Sequence, residues 1–356
     1  MKPLLNQTLG SITVSKDLLS LSVWACPGIG AGNSLNEFIM PAAPKLRSLT
    51  IELSKLNTLP AFLKKATSLK SLGLRVNDLG LGDYAQSGKS GTGDTSGTSS
   101  TSGTATFFAV GVGAPPVPPI RRLNLDQNSF SSVPAWAIAL NTTLEFLRLS
   151  NCDSQQIADN VCDEAICPKI CGDSPINVGP TLPPSLGRLG LLRELVMDCQ
   201  SLQEVSVVGE LVNLQNLRLL NNELIRVPDS FAKLTRLKKL SMAGQFGNCA
   251  CVPQAQSTNE LYCDRKDKRG CLREDGCSWS CNNDSSINDA GLSNLKVLTQ
   301  LRANLSCLDL RQTQHKNNTL PAEFAQLTAL TALDITRAGL RSWTPLESLT
   351  SLWFLR

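Results

Sequence analysis

Thirteen cysteines give this 356-residue chain most of its reactive chemistry. Eight of them fall into two sets of matched spacing. Cys152 is followed by Cys162, Cys167 and Cys171, with nine, four and three residues between them, and then by DSPIN from Asp173. Cys263 is followed by Cys271, Cys277 and Cys281, with seven, five and three residues between them, and then by DSSIN from Asp284. An aspartate follows the first cysteine in both, so the agreement predicts a small duplicated module. Four thiolates could hold zinc, or pair as disulfides that staple a segment too small for a core. Neither set has a Cys-x-x-Cys pair or a histidine, so two disulfides per module is the preferred reading, with three connectivities open for each. Of the remaining Cys26, Cys199, Cys249, Cys251 and Cys307, the close pair Cys249 and Cys251 is also expected to be bridged. Disulfides would put the chain outside the reducing cytosol, in an extracellular or cell-surface setting; a cytoplasmic location is the alternative.

Other chemistry is sparse. The single histidine, His315, sits in the polar stretch QTQHKNN and reads as a solvated loop residue rather than part of a hydrolytic triad. The run GDYAQSGKS from Gly82 resembles a phosphate loop, but five residues separate Gly82 from Gly88 where that loop has four, and the surroundings are low in complexity. No motif for metal, nucleotide or acyl transfer is present, so neither an enzyme nor a cofactor is expected. Glycosylation sequons begin at Asn6, Asn141, Asn283, Asn304 and Asn317, a number that a chain rich in Asn, Ser and Thr would approach by chance.

The elements that carry these residues are repeats. The stretch from Leu214 to Pro228, LQNLRLLNNELIRVP, reads Leu-x-x-Leu-x-Leu-x-x-Asn-x-Leu-x-x-Val-Pro. Relatives of it start at Leu18, Leu46, Leu69, Ile120, Leu144, Leu192, Leu214, Leu237, Leu305, Leu330 and Leu352, with clean spacings of 22 to 25 residues. In each Leu-x-Leu the two leucines point inward and the residue between them points out, so each unit predicts one short parallel strand. The ninth position, Asn77, Asn128 or Asn222, can donate its amide to backbone carbonyls that stacking would otherwise bury unpaired. Ser54, Gln200, Gln245, Thr313 and Ala338 replace it elsewhere, which weakens the expectation for those turns. Leu59-Pro60, Val133-Pro134, Val227-Pro228 and Leu320-Pro321 then turn the chain away from the strand.

This pattern resembles the leucine-rich repeat superfamily, in its class of about 23 residues with Leu-Pro after the asparagine, of the kind found in receptor ectodomains. The resemblance implies an α/β right-handed solenoid, with a concave parallel β-sheet and short 3₁₀, helical or irregular segments on the convex side. It also implies a protein or peptide ligand on the concave face.

Residues 1–45 form a degenerate N-terminal repeat region, and residues 46–356 a solenoid with three interruptions. The first, 82–119, is rich in Gly, Ser, Thr and Pro and is expected to be disordered, since it cannot bury enough apolar surface to offset its conformational entropy. The others, 152–180 and 248–290, are the cysteine-rich insertions, expected to leave the body at equivalent points about 15 to 20 Å apart. With no secretory signal at the start and a terminus inside a repeat, the chain reads as a piece of a longer protein.

The outward strand positions are the expected contact residues: Arg122, Asn124, Asp126, Arg148, Glu194, Val196, Asp198, Arg218, Asp309, Arg311, Asp334 and Arg337. They could equally solubilise the sheet by pairing across strands. Arg148 and Arg218 stand out, because they hold the central exposed position and arginine offers both charge and planar stacking. The formal net charge is +4, from 34 Lys and Arg against 30 Asp and Glu, with no long like-charge block, so nucleic acid is not expected as a partner. The longest apolar run, ATFFAVGVGAPPV from Ala105, is too short and broken to span a bilayer. The function expected is non-enzymatic protein recognition, with an intracellular signalling scaffold or the regulatory repeats of a larger enzyme such as a receptor kinase as alternatives.

Overall fold

The structure is a computed structural model that describes residues 15–25, 39–80, 118–151, 178–245, 249–253, 277–281, 292–311, 313, 319–336, 338 and 340–356; for 249–253 and 277–281 it describes the backbone alone. The segments 81–117, 152–177 and 254–276, with the expected disordered loop and most of both cysteine sets, lie outside the described residues. So do Cys26, His315 and Arg337.

Every repeat start places one strand in a single open sheet of eleven strands. These are β1 (Ser20–Trp24), β2 (Ser48–Glu52), β3 (Ser71–Gly73), β4 (Arg122–Asn124), β5 (Phe146–Arg148), β6 (Glu194–Val196), β7 (Asn216–Arg218), β8 (Lys239–Ser241), β11 (Cys307–Asp309), β12 (Ala332–Asp334) and β13 (Phe354–Leu355). All neighbours are parallel and follow chain order. The register aligns the inward leucines Leu49, Leu72, Leu123, Leu147, Leu195, Leu217, Leu240, Leu308 and Leu333 in one buried row. The long gaps do not interrupt the stack: Ser71 pairs with Arg122, Phe146 with Glu194 and Lys239 with Cys307. Each inserted segment therefore leaves and returns between adjacent turns, as a neighbour-only architecture allows.

The turn after each strand is held by the ninth position. Asn77 donates its amide to the carbonyls of Ile51, Leu74 and Arg75 at 2.7, 3.0 and 3.2 Å, and its Oδ1 accepts from the amides of Ser54 and Leu56, both at 3.1 Å. Asn128 repeats this towards Leu74, Leu125 and Leu79, and Asn222 towards Met197, Gln200 and Leu202. The glutamines are not a weakness, contrary to expectation. Gln200 donates to Leu149 O at 2.7 Å and accepts from Val178, while Gln245 donates to Leu219 O at 2.6 Å and accepts from Leu224. An amide one methylene longer still reaches both groups.

This turn carries a repeated backbone cost. Ala25, Leu53, Val76, Gln127, Cys199 and Asn221 hold the eighth position with φ between 51° and 56°, a left-handed conformation costing about 1 to 2 kcal/mol for residues other than glycine. The buried amide bonds of the ladder hold the chain there.

The return legs are short. Pro60, Pro134, Pro183, Pro228 and Pro321 cap them with φ from −65° to −55°. Five-residue 3₁₀ helices follow at Ala61–Lys65, Pro184–Arg188, Asp229–Lys233 and Ala322–Gln326, and a four-residue α-helix at Ala135–Ile138. So few residues lie between proline and the next leucine that a longer helix cannot nucleate. Leu63, Leu186, Phe231 and Phe324 occupy equivalent places in these legs, each third in its 3₁₀ helix, and are fully buried. Adjacent legs touch closely at Gly209, where a Cβ would stand 2.5 Å from the Ser230 carbonyl oxygen.

Between β8 and β11 the chain also forms a separate antiparallel pair, β9 (Cys249–Pro253) and β10 (Cys277–Cys281), whose register sets Cys249 opposite Cys281 and Cys251 opposite Trp279.

Candidate functional site

The outward face of β2 to β7 forms a groove of ≈ 390 Å³. Its lining includes Glu52, Arg122, Asn124, Phe146, Arg148, Glu194, Asn216 and Arg218. Alternation along each strand puts these side chains opposite the leucine row, and the parallel register brings together residues far apart in sequence. Arg122 is exposed, and its guanidinium carbon lies 3.8 Å from the centre of the Phe146 ring on the next strand. The ring's negative face attracts the cation and orients it. Glu194 and Asn216 continue the same row, the Asn216 amide 3.3 Å from Glu194 Oε2. Phe146 and Asn216 were missed as candidates, although they hold the same strand position as Arg122 and Glu194.

Six of the expected contact residues are buried: Asp126, Val196, Asp198, Arg218, Asp309 and Asp334. For Arg218 this overturns the expectation of a central exposed cation. Its Nε donates to Asp198 Oδ2 at 2.7 Å and its Nη2 pairs with the same oxygen, with only 8% of the side chain exposed. Asp198 Oδ1 also accepts the Leu220 amide at 2.9 Å. The same unit occurs two strands earlier in looser form. Arg148 Nε lies 3.3 Å from Asp126 Oδ2, the Ser150 amide donates to Asp126 Oδ1 at 2.8 Å, and the arginine side chain is 24% exposed. An aspartate just beyond one strand thus holds both an amide and an arginine of the next.

Towards the other end the arrangement is reversed. Arg311 donates to both oxygens of Asp309, at 2.9 and 2.7 Å, and lies 3.5 Å from Asp334, while Ser241 Oγ donates to Asp309 at 2.9 Å. Burial opposes the Arg311 charge, but the hydrogen bond and field of Asp309, with the field of Asp334, outweigh it and raise its pKa. Arg311, Asp309 and Asp334 do not line the groove. Arg75 joins β2, β3 and β4 through Glu52 at 3.8 Å and Gln127 at 3.1 Å. Among the described residues no group of three His, Cys, Asp or Glu is placed to hold a metal ion, and no helix is long and apolar enough to cross a membrane.

Cys199 lies just beyond β6 and Cys307 on β11, three strand steps or about 14 Å apart. Asn151 and Gln245, which precede the two cysteine-rich segments, are likewise three strand steps apart, or about 14 Å.

No protein-family model and no curated protein sequence matches this chain. In three dimensions it is similar to a leucine-rich repeat protein of Leptospira interrogans, with a TM-score of 0.58 and 18% identity over 98% of this chain. This chain has the leucine-rich repeat fold. It spans 64% of the length of the Leptospira protein. An internalin of Listeria monocytogenes is also similar, at a TM-score of 0.45 and 16% identity over 96% of this chain and 87% of its own. The Arabidopsis receptor kinase HAESA, solved with the peptide hormone IDA and the co-receptor SERK1, matches at 0.46 and 17% over 90% of this chain and 38% of its own. The leucine-rich repeat sheet accounts for the eleven starts read from the sequence.

Proposed function

We propose that this leucine-rich repeat chain is a non-enzymatic recognition segment that binds a protein or peptide on its open, concave face. The observation that carries the reading is the groove over β2 to β7, where exposed Arg122 rests on Phe146 beside Arg148, Glu194 and Asn216. An oriented guanidinium on an aromatic ring, flanked by a carboxylate and an amide, suits peptide recognition, and arginine and aromatics are the side chains that most often carry binding energy. The surrounding Asp–Arg pairs hold the strands rather than the ligand. Arg148 remains a contact candidate through its exposed part, whereas Arg218 acts as a support from below.

The setting proposed is extracellular or cell-surface. Disulfide bonding at Cys199 and Cys307 supports it. The competing reading is an intracellular scaffold. Thiol counting on denatured, unreduced protein separates the two: all thirteen cysteines free means a reducing compartment.

The binding test is selection of peptides from a random display library by the wild-type protein, followed by measurement on Arg122→Ala/Phe146→Ala/Glu194→Ala. Selected peptides should lose binding to the triple variant. An empty selection, or peptides that bind both proteins alike, would sink the proposal.

A further inference from the structure

The sequence contains no block of like charge, yet the fold assembles one. The residue after the first leucine of each repeat joins a continuous backbone ladder at the start of the strands. The amide of Lys70 donates to Arg47 O, that of Arg121 to Lys70 O and that of Glu145 to Arg121 O, at 2.8 to 2.9 Å. Arg193, Gln215 and Lys238 continue the ladder in the same way to β8. Successive members are 22 to 51 residues apart in the chain and about 4.8 Å apart across the sheet. Five of the seven positions are cationic and one, Glu145, is acidic.

These cations stay in solvent. Arg47, Lys70, Arg121, Arg193 and Lys238 are all exposed. Arg47, Lys70 and Lys238 form no ion pair with any described residue, and Glu145 is shared between Arg121 at 3.0 Å and Arg193 at 3.7 Å. Beside the row lies a cleft of ≈ 320 Å³ whose walls include Arg193, Arg236, Asn213 and Gln215. Its apolar feature is Leu191, a large hydrophobic residue left 46% exposed.

We infer that this strand-start edge is a second interaction surface, distinct from the open face, and that its partner is an acidic protein segment carrying an apolar side chain among its carboxylates. The cationic row supplies charge complementarity along about 29 Å, six strand steps, which an extended peptide of about nine residues would span. The cleft decides which acidic partner fits. Leu191 offers an apolar seat, Gln215 offers backbone-like hydrogen bonds, Asn213 holds Arg236 in the wall by accepting from its Nη1 at 2.6 Å, and Glu145 breaks the positive field part-way. A uniform polyanion has no apolar group for Leu191 and meets Glu145 unfavourably; a peptide can place an uncharged residue there.

The test uses the whole chain and a labelled ten-residue Asp/Glu peptide with one central leucine, with the same peptide lacking that leucine and dextran sulfate as comparators. The peptide should bind at low ionic strength and weaken as salt rises. Arg193→Glu/Arg236→Glu should weaken it about tenfold or more. Leu191→Ser, or removal of the peptide leucine, should each weaken it about fivefold. Leu191, Arg193 and Arg236 are all exposed, and circular dichroism of each variant serves as the check that it folds. Arg122→Ala/Phe146→Ala should leave this binding unchanged, so the edge and the open face are judged separately. Failure to bind at low salt, equal binding by all variants, loss only in the open-face variant, or tighter binding of dextran sulfate with no dependence on Leu191 would each overturn the inference.

Discussion

The open face and the strand-start edge are built from the same strands, yet they treat charge in opposite ways. On the open face, carboxylates lie beneath arginines of the neighbouring strand: Asp198 is fully buried under Arg218, and Asp126 under Arg148. On the edge, Arg47, Lys70 and Lys238 stand in water without partners among the described residues. The difference is geometric. Side chains on the open face converge across neighbouring strands and exclude water from one another, so an uncompensated charge there would be costly. Those at the edge diverge into solvent, where high dielectric and screening make an unpaired charge cheap. Charge on the open face therefore serves mainly the sheet, and charge on the edge is left for a partner.

The strongest challenge to this contrast is removal of a buried carboxylate. Asp198→Ala would leave Arg218 buried without its counter-charge and the Leu220 amide without an acceptor, and should destabilise the chain by about 3 to 5 kcal/mol in denaturant unfolding. A loss near that of a surface pair such as Lys233 with Glu210, at most about 1 kcal/mol, would mean that the open-face pairs are effectively solvated. Next in size is the ladder beneath both regions. Asn222→Ala strands the amides of Gln200 and Leu202 and the Met197 carbonyl, and should cost about 2 kcal/mol or more. Gln200→Ala should come close to it, because the glutamine bonds like the asparagine; a negligible cost there would remove the equivalence.

Arg122→Ala/Phe146→Ala sharpens the comparison from the other side. It removes the exposed, unburdened part of the open face, so it should change unfolding free energy by less than about 1 kcal/mol while weakening a selected peptide about tenfold or more. Glu145→Gln should be the mildest: a stability change below about 0.5 kcal/mol, with tighter acidic-peptide binding because the row loses its one acid. Weaker binding would show that Glu145 positions Arg121 and Arg193 rather than opposing the ligand. Surface chemistry adds one further check. Asn141 and Asn304 are both exposed, but the Asn304 amide donates to Thr235 O at 2.8 Å, so glycopeptide mapping of protein expressed through a secretory pathway should find the sugar at Asn141 in preference to Asn304.

The fold was legible in unusual detail. Leu18, Leu46 and each later start placed a strand, including the degenerate unit at Leu18, because the Leu-x-Leu alternation sets the inward face and the spacing sets the length of each turn. The prolines were legible as well: Pro60, Pro134, Pro228 and Pro321 cap the return legs as their fixed φ requires. The site was legible only as rows. The repeat separates Arg122, before the strand leucine, from Arg218, between two inward leucines, but not their fates: Arg218 is held by Asp198, twenty residues upstream, and Arg122 rests on Phe146, 24 residues downstream. No local pattern names either partner.

Sequence by itself therefore determined the repeat, the strand count, the inward and outward faces and the ladder, since each depends on contacts within one repeat or with its nearest neighbour, and the same pattern recurs. Tertiary structure alone decided which charges are spent inside the sheet, that glutamine can serve in the ladder, and that scattered cations form one edge. Stacking turns a position in the repeat into a row in space, so the surroundings of an outward side chain are set by residues one turn away, beyond the reach of any local signal.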